Sequence, residues 1–165
     1  MNGIDYKILA ALMKNSKTSD RQLAKEIGVS QPTVTRRRAR LEKEVIDGYT
    51  AIPRWAELGY NILAITLVKT PLKFGSEQET KDAIECAYKW LKKQPNVIFG
   101  GECRGLGMTG VMFSVHKSYS DLDRFLSSHR QQLGHLLEGV DTIIVNLAGE
   151  GIRRPLHMKY LAEAE

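Results

Sequence analysis

The segment SQPTVTRRRARLEK, residues 30–43, constrains the fold of this chain more than any other stretch. Ser30 can cap the first free amides of a helix, and Pro32 falls in the first turn, where a missing N–H costs little. At about 100° per residue, three apolar residues fall on one side of that helix: Val34, Leu41 and Val45. The segment therefore predicts a helix with one face for packing and one cationic face.

Two further amphipathic segments precede this helix, at Ile4 to Lys14 and at Ser19 to Ile27. Each carries apolar residues at the spacing of one helical face. Gly28 and Val29 leave a connector of three or four residues before the cationic helix. Because a short turn containing glycine sets two helices across each other, the arrangement predicts a three-helix helix-turn-helix.

The charge of the chain is concentrated in the same region. Residues 1–54 contain 11 Lys and Arg against 6 Asp and Glu, whereas residues 55–165 contain 13 of each kind. Lysines and arginines that face a polyanion release condensed counterions, which supplies most non-specific affinity for DNA. The N-terminal helices are therefore the expected DNA-binding part.

We expect the cationic helix to enter a major groove. Arg36 and Arg40 can reach guanine edges, while Arg37 and Lys43 lie where phosphates would be. The expected contact residues are Ser30, Gln31, Thr33, Thr35, Arg36, Arg37, Arg40 and Lys43. A solvated amphipathic helix is the alternative for this segment taken alone. The two helices before it favour DNA binding.

Residues 4–52 resemble the N-terminal half of the leucine-responsive regulatory protein and asparagine synthase regulator (Lrp/AsnC) family. The resemblance rests on the three helices, the Ser-x-x-Thr-Val-x-Arg-Arg pattern beginning at Ser30, and Gly48-Tyr49-Thr50, which opens a strand in the family. Arg38 stands where the family usually has an aliphatic residue. A buried arginine needs a partner, and Glu42, one turn later, is the nearest candidate. Alternatively, the aliphatic part of the Arg38 side chain is buried and its guanidinium reaches water or a phosphate.

The rest of the chain alternates strands and helices. Strands are predicted at 61–68, 97–104, 109–116 and 140–147, and helices at 76–93 and 120–136, with Ile84, Ala87, Tyr88 and Leu91 facing inward from the first of them. The order βαββαβ is typical of a ferredoxin-like antiparallel sheet with both helices on one face. The chain is thus expected to be an α+β protein.

We predict four parts of the chain: a winged-type helix-turn-helix at 1–50, a linker with a hairpin strand at 51–60, a ferredoxin-like (RAM-type) domain at 61–149 and a tail at 150–165. The third predicted strand carries alternate residues that are too apolar to remain exposed to water: Val111, Phe113 and Val115. The sheet face that the helices leave uncovered is therefore expected to pair with a second copy of the chain. The resemblance implies that such homodimers assemble further, into tetramers or octamers, and that a small molecule, often an amino acid, binds between protomers.

The resemblance is weaker at the effector site. The family commonly has Gly-x-x-Asp before the third strand, and Gly107 and Gly110 occupy those two positions, so the carboxylate is missing. A pocket around Gly107, Thr109 and Gly110, with Glu102 as the replacement carboxylate, is the remaining hypothesis for an effector site.

Other chemistry receives little support from the sequence. Gly105 to Gly110 satisfies G-x-G-x-x-G, but a strand follows where a dinucleotide-binding fold has a helix, so we expect a turn. Cys86 and Cys103 fit neither a zinc ribbon nor a redox pair. His129 is expected to be a hydrogen-bonded core residue. We therefore predict no catalytic residue, no metal and no cofactor.

The function favoured by these observations is a sequence-specific, DNA-binding transcriptional regulator that acts as a homodimer, with an amino-acid-like effector as a possible modulator. One alternative is an architectural protein with little sequence preference. Another is an enzyme resembling the sirohaem decarboxylases, whose His-Asn-Tyr-x-Arg type motif is absent here, since the second strand ends Gly101-Glu102-Cys103-Arg104. Without an apolar stretch of membrane-spanning length or a signal peptide, the expected location is the cytoplasm, with no membrane partner.

Overall fold

The computed structural model describes residues 2–71 and 75–163. The elements named below are α1 (Gly3–Lys14), α2 (Asp20–Ile27), α3 (Gln31–Glu44), β1 (Ile62–Lys69), α4 (Glu77–Lys92), β2 (Val97–Gly105), β3 (Met108–His116), α5 (Tyr119–Leu133) and β4 (Gly139–Asn146). The predicted α+β order, three helices followed by βαββαβ, is confirmed. The chain forms two compact units: residues up to Ile52 together with those from Arg154 onward, and Pro53–Arg153. No helix in the described ranges is long and apolar enough to cross a membrane.

The first unit is held together by one small apolar core. Helix α1 begins with a capping box, in which Asn2 and Asp5 each accept a hydrogen bond from the other's backbone N–H, and α2 begins with a second one, between Ser19 and Gln22. The three helices contribute the core residues Ile8, Leu12, Leu23, Ala24, Val34 and Leu41. This core fixes the direction in which α3 faces.

Two local predictions near α3 are wrong. The Ser30 hydroxyl does not cap the helix; it is hydrogen-bonded to the Thr33 hydroxyl at 2.8 Å, and Pro32, at the second helical position, has no N–H to donate. Val45 does not face the core. It is 47% exposed, because the helix ends at Glu44, and Ile46 packs against the core in its place.

The expected hairpin strand after α3 is also not formed. Residues 46–54 are irregular, and the segment continues into a short 3₁₀ helix at Trp55–Leu58. A strand needs a neighbour that pairs with its backbone N–H and C=O groups, and within the described chain no strand lies beside this segment. Tyr49 and Ile52 remain exposed there.

The second unit is a four-stranded antiparallel sheet in the order β2-β3-β1-β4, with α4 and α5 on one face. The core lies between this face and the helices, with Ile62, Ala64 and Met112 from the sheet and Trp90, Leu122, Phe125 and Leu133 from the helices. Alternate residues of the strands lie on the other face. Ile65 pairs there with Phe113 and with Ile143, and Phe113 pairs with Phe99. An apolar row therefore crosses all four strands on the face that the helices leave uncovered.

The inward face of α4 differs from the prediction. Ile84 and Tyr88 are 57% and 56% exposed, and Ala83 and Trp90 are buried instead. The Trp90 ring packs against Phe125, with ring centres 5.5 Å apart, and against His129, at 5.0 Å. Because this large ring anchors the C-terminal half of the helix, Ile84 and Tyr88 face a cleft and not the core.

A serine, a histidine and a carboxylate lie close together beneath α5. The Ser114 hydroxyl is 2.8 Å from His116 Nε2, and His116 Nδ1 is 3.7 Å from a carboxylate oxygen of Asp121. Ser114 and His116 share one face of β3, and Asp121 lies in the first turn of α5, so the group is local in the chain. Ser114 and His116 are fully buried, so no substrate reaches the hydroxyl, and burial lowers the pKa of His116. His129 is buried as expected, although its Nδ1 has no hydrogen-bond partner among the described residues.

The C-terminal segment belongs to the first unit, which sequence analysis did not anticipate. A short 3₁₀ helix at Met158–Ala162 packs against α1. The Arg154 guanidinium lies over the Tyr160 ring at 3.8 Å from its centre, a cation–π contact that orders the segment internally. The predicted tail at 150–165 is therefore divided between the two units, because the described residues from Arg154 to Glu163 belong to the first unit and those before Arg154 belong to the second.

Candidate nucleic-acid interface

The connection between α2 and α3 has the geometry of a helix-turn-helix. Helix α2 ends at Ile27, Gly28 adopts a left-handed backbone with φ of +78°, and α3 begins at Gln31. The Gly28 N–H donates to the carbonyl of Ala24, which closes the end of α2. A residue with a Cβ would be strained at this φ, so glycine is suited to the turn. The predicted short connector is confirmed.

Arg36 and Lys43 lie on the outward face of α3. At about 100° per residue they fall nearly opposite Val34 and Leu41, the two buried residues of the helix. Both side chains are exposed, and within the described chain neither forms an ion pair or a side-chain hydrogen bond. Ala39, also exposed on this face, was not among the predicted contact residues. Its small side chain would let other groups approach the helix closely.

Two other arginines of α3 are engaged by a single carboxylate. Arg37 donates to Asp5 at 2.9 Å, and Arg40 donates to the second carboxylate oxygen of Asp5. Asp5 is only 1% exposed. The N–H of Asn2 and the Arg37 guanidinium together lower the pKa of Asp5 to about 2, so the carboxylate remains charged at neutral pH. Arg37 and Arg40 thus link α3 to the start of α1.

Arg38 lies between α3 and α2, and its predicted partner is confirmed. It donates to Glu42 at 2.9 Å, and in addition to Asp20 and to the carbonyl of Thr18, each at 3.1 Å. The Arg38 guanidinium lowers the pKa of Glu42, which also accepts a hydrogen bond from the Tyr49 hydroxyl at 2.8 Å. These bonds satisfy the charged group, and they assign Arg38 to holding the helices together.

The remaining predicted contact residues surround this face. Ser30, Gln31 and Thr35 are exposed, and Thr33 is half-buried. The Thr35 hydroxyl donates to Asp20 at 2.7 Å, so it also ties α3 to the start of α2. The cations of α3 therefore fall into two groups: Arg37, Arg38 and Arg40 have acidic partners, while Arg36 and Lys43 have none within the described residues.

A cleft of about 950 Å³ lies in the second unit between α4, the C-terminal end of α5 and the β2–β3 edge of the sheet. Of the predicted effector residues, Glu102, Thr109 and Gly110 line it, whereas Gly107 does not. Gly107 lies in the tight turn between β2 and β3, which confirms that the glycine-rich stretch is a hairpin. Apolar side chains such as Ile84, Ala87, Met112 and Leu133 form most of the lining.

Gly110, which stands at the position of the family's aspartate, packs closely against β1. A Cβ at this position would lie 2.8 Å from Val68 Cγ2, so a side chain here would require the Val68 side chain to shift. Thr109 is also committed, because its hydroxyl bonds to Thr70 and to the carbonyl of Val68. Glu102 is the one carboxylate of the described chain that lines the cleft.

Comparison with known proteins identifies the family. An AsnC-type helix-turn-helix domain matches residues 1–42. The HTH-type transcriptional regulator Ptr1 of Methanocaldococcus jannaschii is 39% identical to this chain, over 94% of the chain and 99% of the relative. This chain belongs to the Lrp/AsnC family of transcriptional regulators. The regulator FL11 of Pyrococcus furiosus supports the same assignment, with 32% identity over 88% of the chain and 89% of FL11.

A solved structure of a transcriptional regulator has a similar fold over most of this chain. The transcriptional regulator NMB0573 of Neisseria meningitidis, in complex with L-Met, has a TM-score of 0.77, with 17% identity over 94% of this chain and 96% of that one. The likeness establishes the fold alone, because the identity is low. In this Lrp/AsnC regulator, the AsnC-type match ends within α3, so it includes Arg36, Arg37 and Arg40.

Proposed function

We propose that this regulator recognises a specific double-stranded DNA site by placing α3 in the major groove, with Arg36 reading base edges. The observation that carries the proposal is the outward position of Arg36, opposite the buried stripe and without an acidic partner in the described chain. An arginine can donate hydrogen bonds to the O6 and N7 acceptors of guanine, and the exposed methyl of Ala39 can make an apolar contact with a thymine methyl. Lys43 would bind a phosphate, which positions the helix without reading sequence.

We further propose that the regulator acts as a homodimer paired through the uncovered sheet face. The apolar row of Phe99, Phe113, Ile65 and Ile143 supports this pairing, since Phe99 and Ile143 are largely exposed in the single chain. Two copies would place their α3 helices in successive major grooves about 34 to 36 Å apart on a pseudo-palindromic site. Assembly of such dimers into tetramers or octamers, and a cytoplasmic location beside the DNA, accord with this function.

Replacing Arg36 by Ala should reduce discrimination between a cognate site and random DNA. The expected loss is about 1 to 3 kcal/mol if the guanidinium makes a bidentate contact with one base. The measurement is a fluorescence-anisotropy titration of two DNAs: a site selected by the wild-type protein from a random library, and a random sequence of equal length. The matched control, Lys43→Ala, should weaken both DNAs alike. An unchanged affinity ratio for Arg36→Ala would remove this residue from base reading.

We propose that the cleft between α4 and the sheet binds a small amphiphilic effector with an apolar body and a cationic group. The apolar lining favours the body, and the Glu102 carboxylate at the sheet edge favours an amine. The L-Met complex of NMB0573 shows that a protein of this fold holds a ligand of that chemistry.

Isothermal titration with apolar L-amino acids, methionine, leucine and phenylalanine first, tests the effector site. Ala87→Phe fills the cleft and Glu102→Gln removes its carboxylate, so each should weaken binding at least about tenfold, a loss of about 1.4 kcal/mol. Glu85→Gln, a change at an exposed glutamate of α4 outside the cleft lining, is the control and should bind as the wild type does. Equal binding by Ala87→Phe and the wild type would place the effector elsewhere.

A further inference from the structure

Asp5 is a buried carboxylate at the point where α1 meets the DNA-facing helix. Its two oxygens accept hydrogen bonds from three donors: the N–H of Asn2 at 3.1 Å, the Arg37 guanidinium at 2.9 Å and the Arg40 guanidinium. The carboxylate therefore neutralises one of the two arginine charges on the side of α3 that adjoins the outward face.

The two arginines differ in how firmly they are held. The Arg37 side chain is mostly buried, and it also donates to the Asn2 side chain at 3.0 Å. The Arg40 side chain is 48% exposed, and its Nε lies 4.0 Å from a carboxylate oxygen of Glu44. If Arg40 left, Asp5 would retain Arg37 and the Asn2 N–H, so no buried charge would be stranded. Of the two arginines, only Arg40 can therefore leave Asp5 for another anion at a low cost in free energy.

The position of Arg40 makes a DNA phosphate its natural second partner. Arg40 lies one turn after Arg36, about 40° away around the helix, on the face proposed to enter the groove. Carboxylates and phosphates bind the same guanidinium fork. A phosphate that approaches α3 closely therefore competes with Asp5 for Arg40.

We propose that Asp5 is a specificity-determining residue that withholds Arg40 from loosely bound DNA and releases it to a phosphate only when α3 is fully seated. The inference rests on the proposed DNA contact of α3. In non-specific complexes Arg40 stays on Asp5 and releases no counterion. In the specific complex it moves to a phosphate, and Asp5 remains bonded to Arg37 and Asn2.

The test compares the salt dependence of binding for the wild type and Asp5→Asn, on the selected site and on random DNA. Each additional phosphate contact steepens the slope of log K against log salt by about 0.9. Asp5→Asn should steepen the slope on random DNA by that amount and leave the slope on the selected site unchanged. An unchanged slope on random DNA, in a variant whose circular dichroism matches the wild type, overturns the proposal. Asp20→Asn is the control and should alter neither slope, because Arg38 retains Glu42.

A second measurement uses the wild-type protein and does not depend on the folding of a variant. The arginine side-chain Nε–Hε signals are followed by NMR in the free protein, with random DNA and with the selected site, and Arg40→Lys identifies the Arg40 signal. The Arg40 signal should shift only with the selected site, while the Arg37 signal stays in place. An Arg40 signal that the selected site leaves unmoved overturns this inference alone, whereas a wild type that binds no DNA overturns it together with the proposed function.

Discussion

Phe113→Lys is expected to convert the proposed dimer into a monomer and to weaken binding to the full DNA site by about a hundredfold or more. Phe113 lies in the centre of the apolar row, between Phe99 on β2 and Ile65 on β1. The Phe99 and Phe113 rings are 5.2 Å apart, so they form one continuous surface. A lysine there would bury a charge in the paired sheets without a counter-charge, which is costly. In a monomer the two DNA-binding units are no longer linked, and linkage of two binding units raises the overall affinity by a factor of about 10² to 10⁴.

Sedimentation equilibrium measures the mass of the variant, and anisotropy measures its affinity for the full site and for a half-site. The half-site affinity should be preserved, because each monomer retains α3. Gln131→Lys adds the same charge at an exposed position of α5 and should remain dimeric. A Phe113→Lys protein with the mass of the wild type would contradict pairing through this face.

Leu41→Ala should unfold most of the DNA-binding unit while the sheet unit stays folded. Leu41 is almost fully buried in the six-residue core of the first unit. Truncating a buried leucine lowers the free energy of unfolding by about 2 to 5 kcal/mol. The total free energy of unfolding of a unit of this size is rarely above about 3 to 5 kcal/mol. The second unit has its own core, centred on residues such as Trp90, Phe125 and Met112, which the change does not touch.

Hydrogen exchange read separately for α1 and for β1 distinguishes the two units. Protection should collapse in α1 and persist in β1, and DNA binding should be lost while the proposed dimer stays intact. Leu41→Met is the matched control, because it nearly conserves volume and should cost less than about 1.5 kcal/mol. Equal loss of protection in both helix and strand would show that the units unfold together.

Local signals in the sequence were sufficient for the helices and for one ion pair. The apolar spacing and Pro32 predict α3 to within a residue of its start, and Arg38 and Glu42 are found because partners four residues apart meet on a helix. Val45 follows Leu41 at helical spacing, so the pattern predicts it on the apolar face, but α3 ends one residue before it and Val45 does not reach the core.

Contacts between distant residues could not be predicted in this way. Asp5 is separated from Arg40 by 35 positions, and nothing in either segment indicates that α1 and α3 bring them together. From the sequence alone, Arg40 is therefore predicted to reach base edges on the same terms as Arg36, with no indication of the Asp5 contact. The exposure of Ile84 and Tyr88 depends on where the Trp90 ring packs, which is a property of the assembled core. The docking of residues 158–162 on α1 is likewise tertiary.

At the effector site, part of the cleft lining could be predicted from the sequence and part could not. The sequence indicated the β2–β3 edge and Glu102, and the structure places Glu102, Thr109 and Gly110 on one cleft. The sequence could not indicate that Gly110 packs closely against Val68, because that contact joins two strands that are distant in the chain.

The most direct test of specific DNA recognition is an anisotropy titration of DNA from the protein's own upstream region, against random DNA of equal length, at two salt concentrations. A specific regulator should prefer the upstream DNA by about a thousandfold or more, and the preference should survive the higher salt. Equal affinity for both DNAs, collapsing as salt rises, would contradict base reading by Arg36 and favour an architectural protein. Absence of binding to either DNA would contradict the proposal that α3 binds DNA.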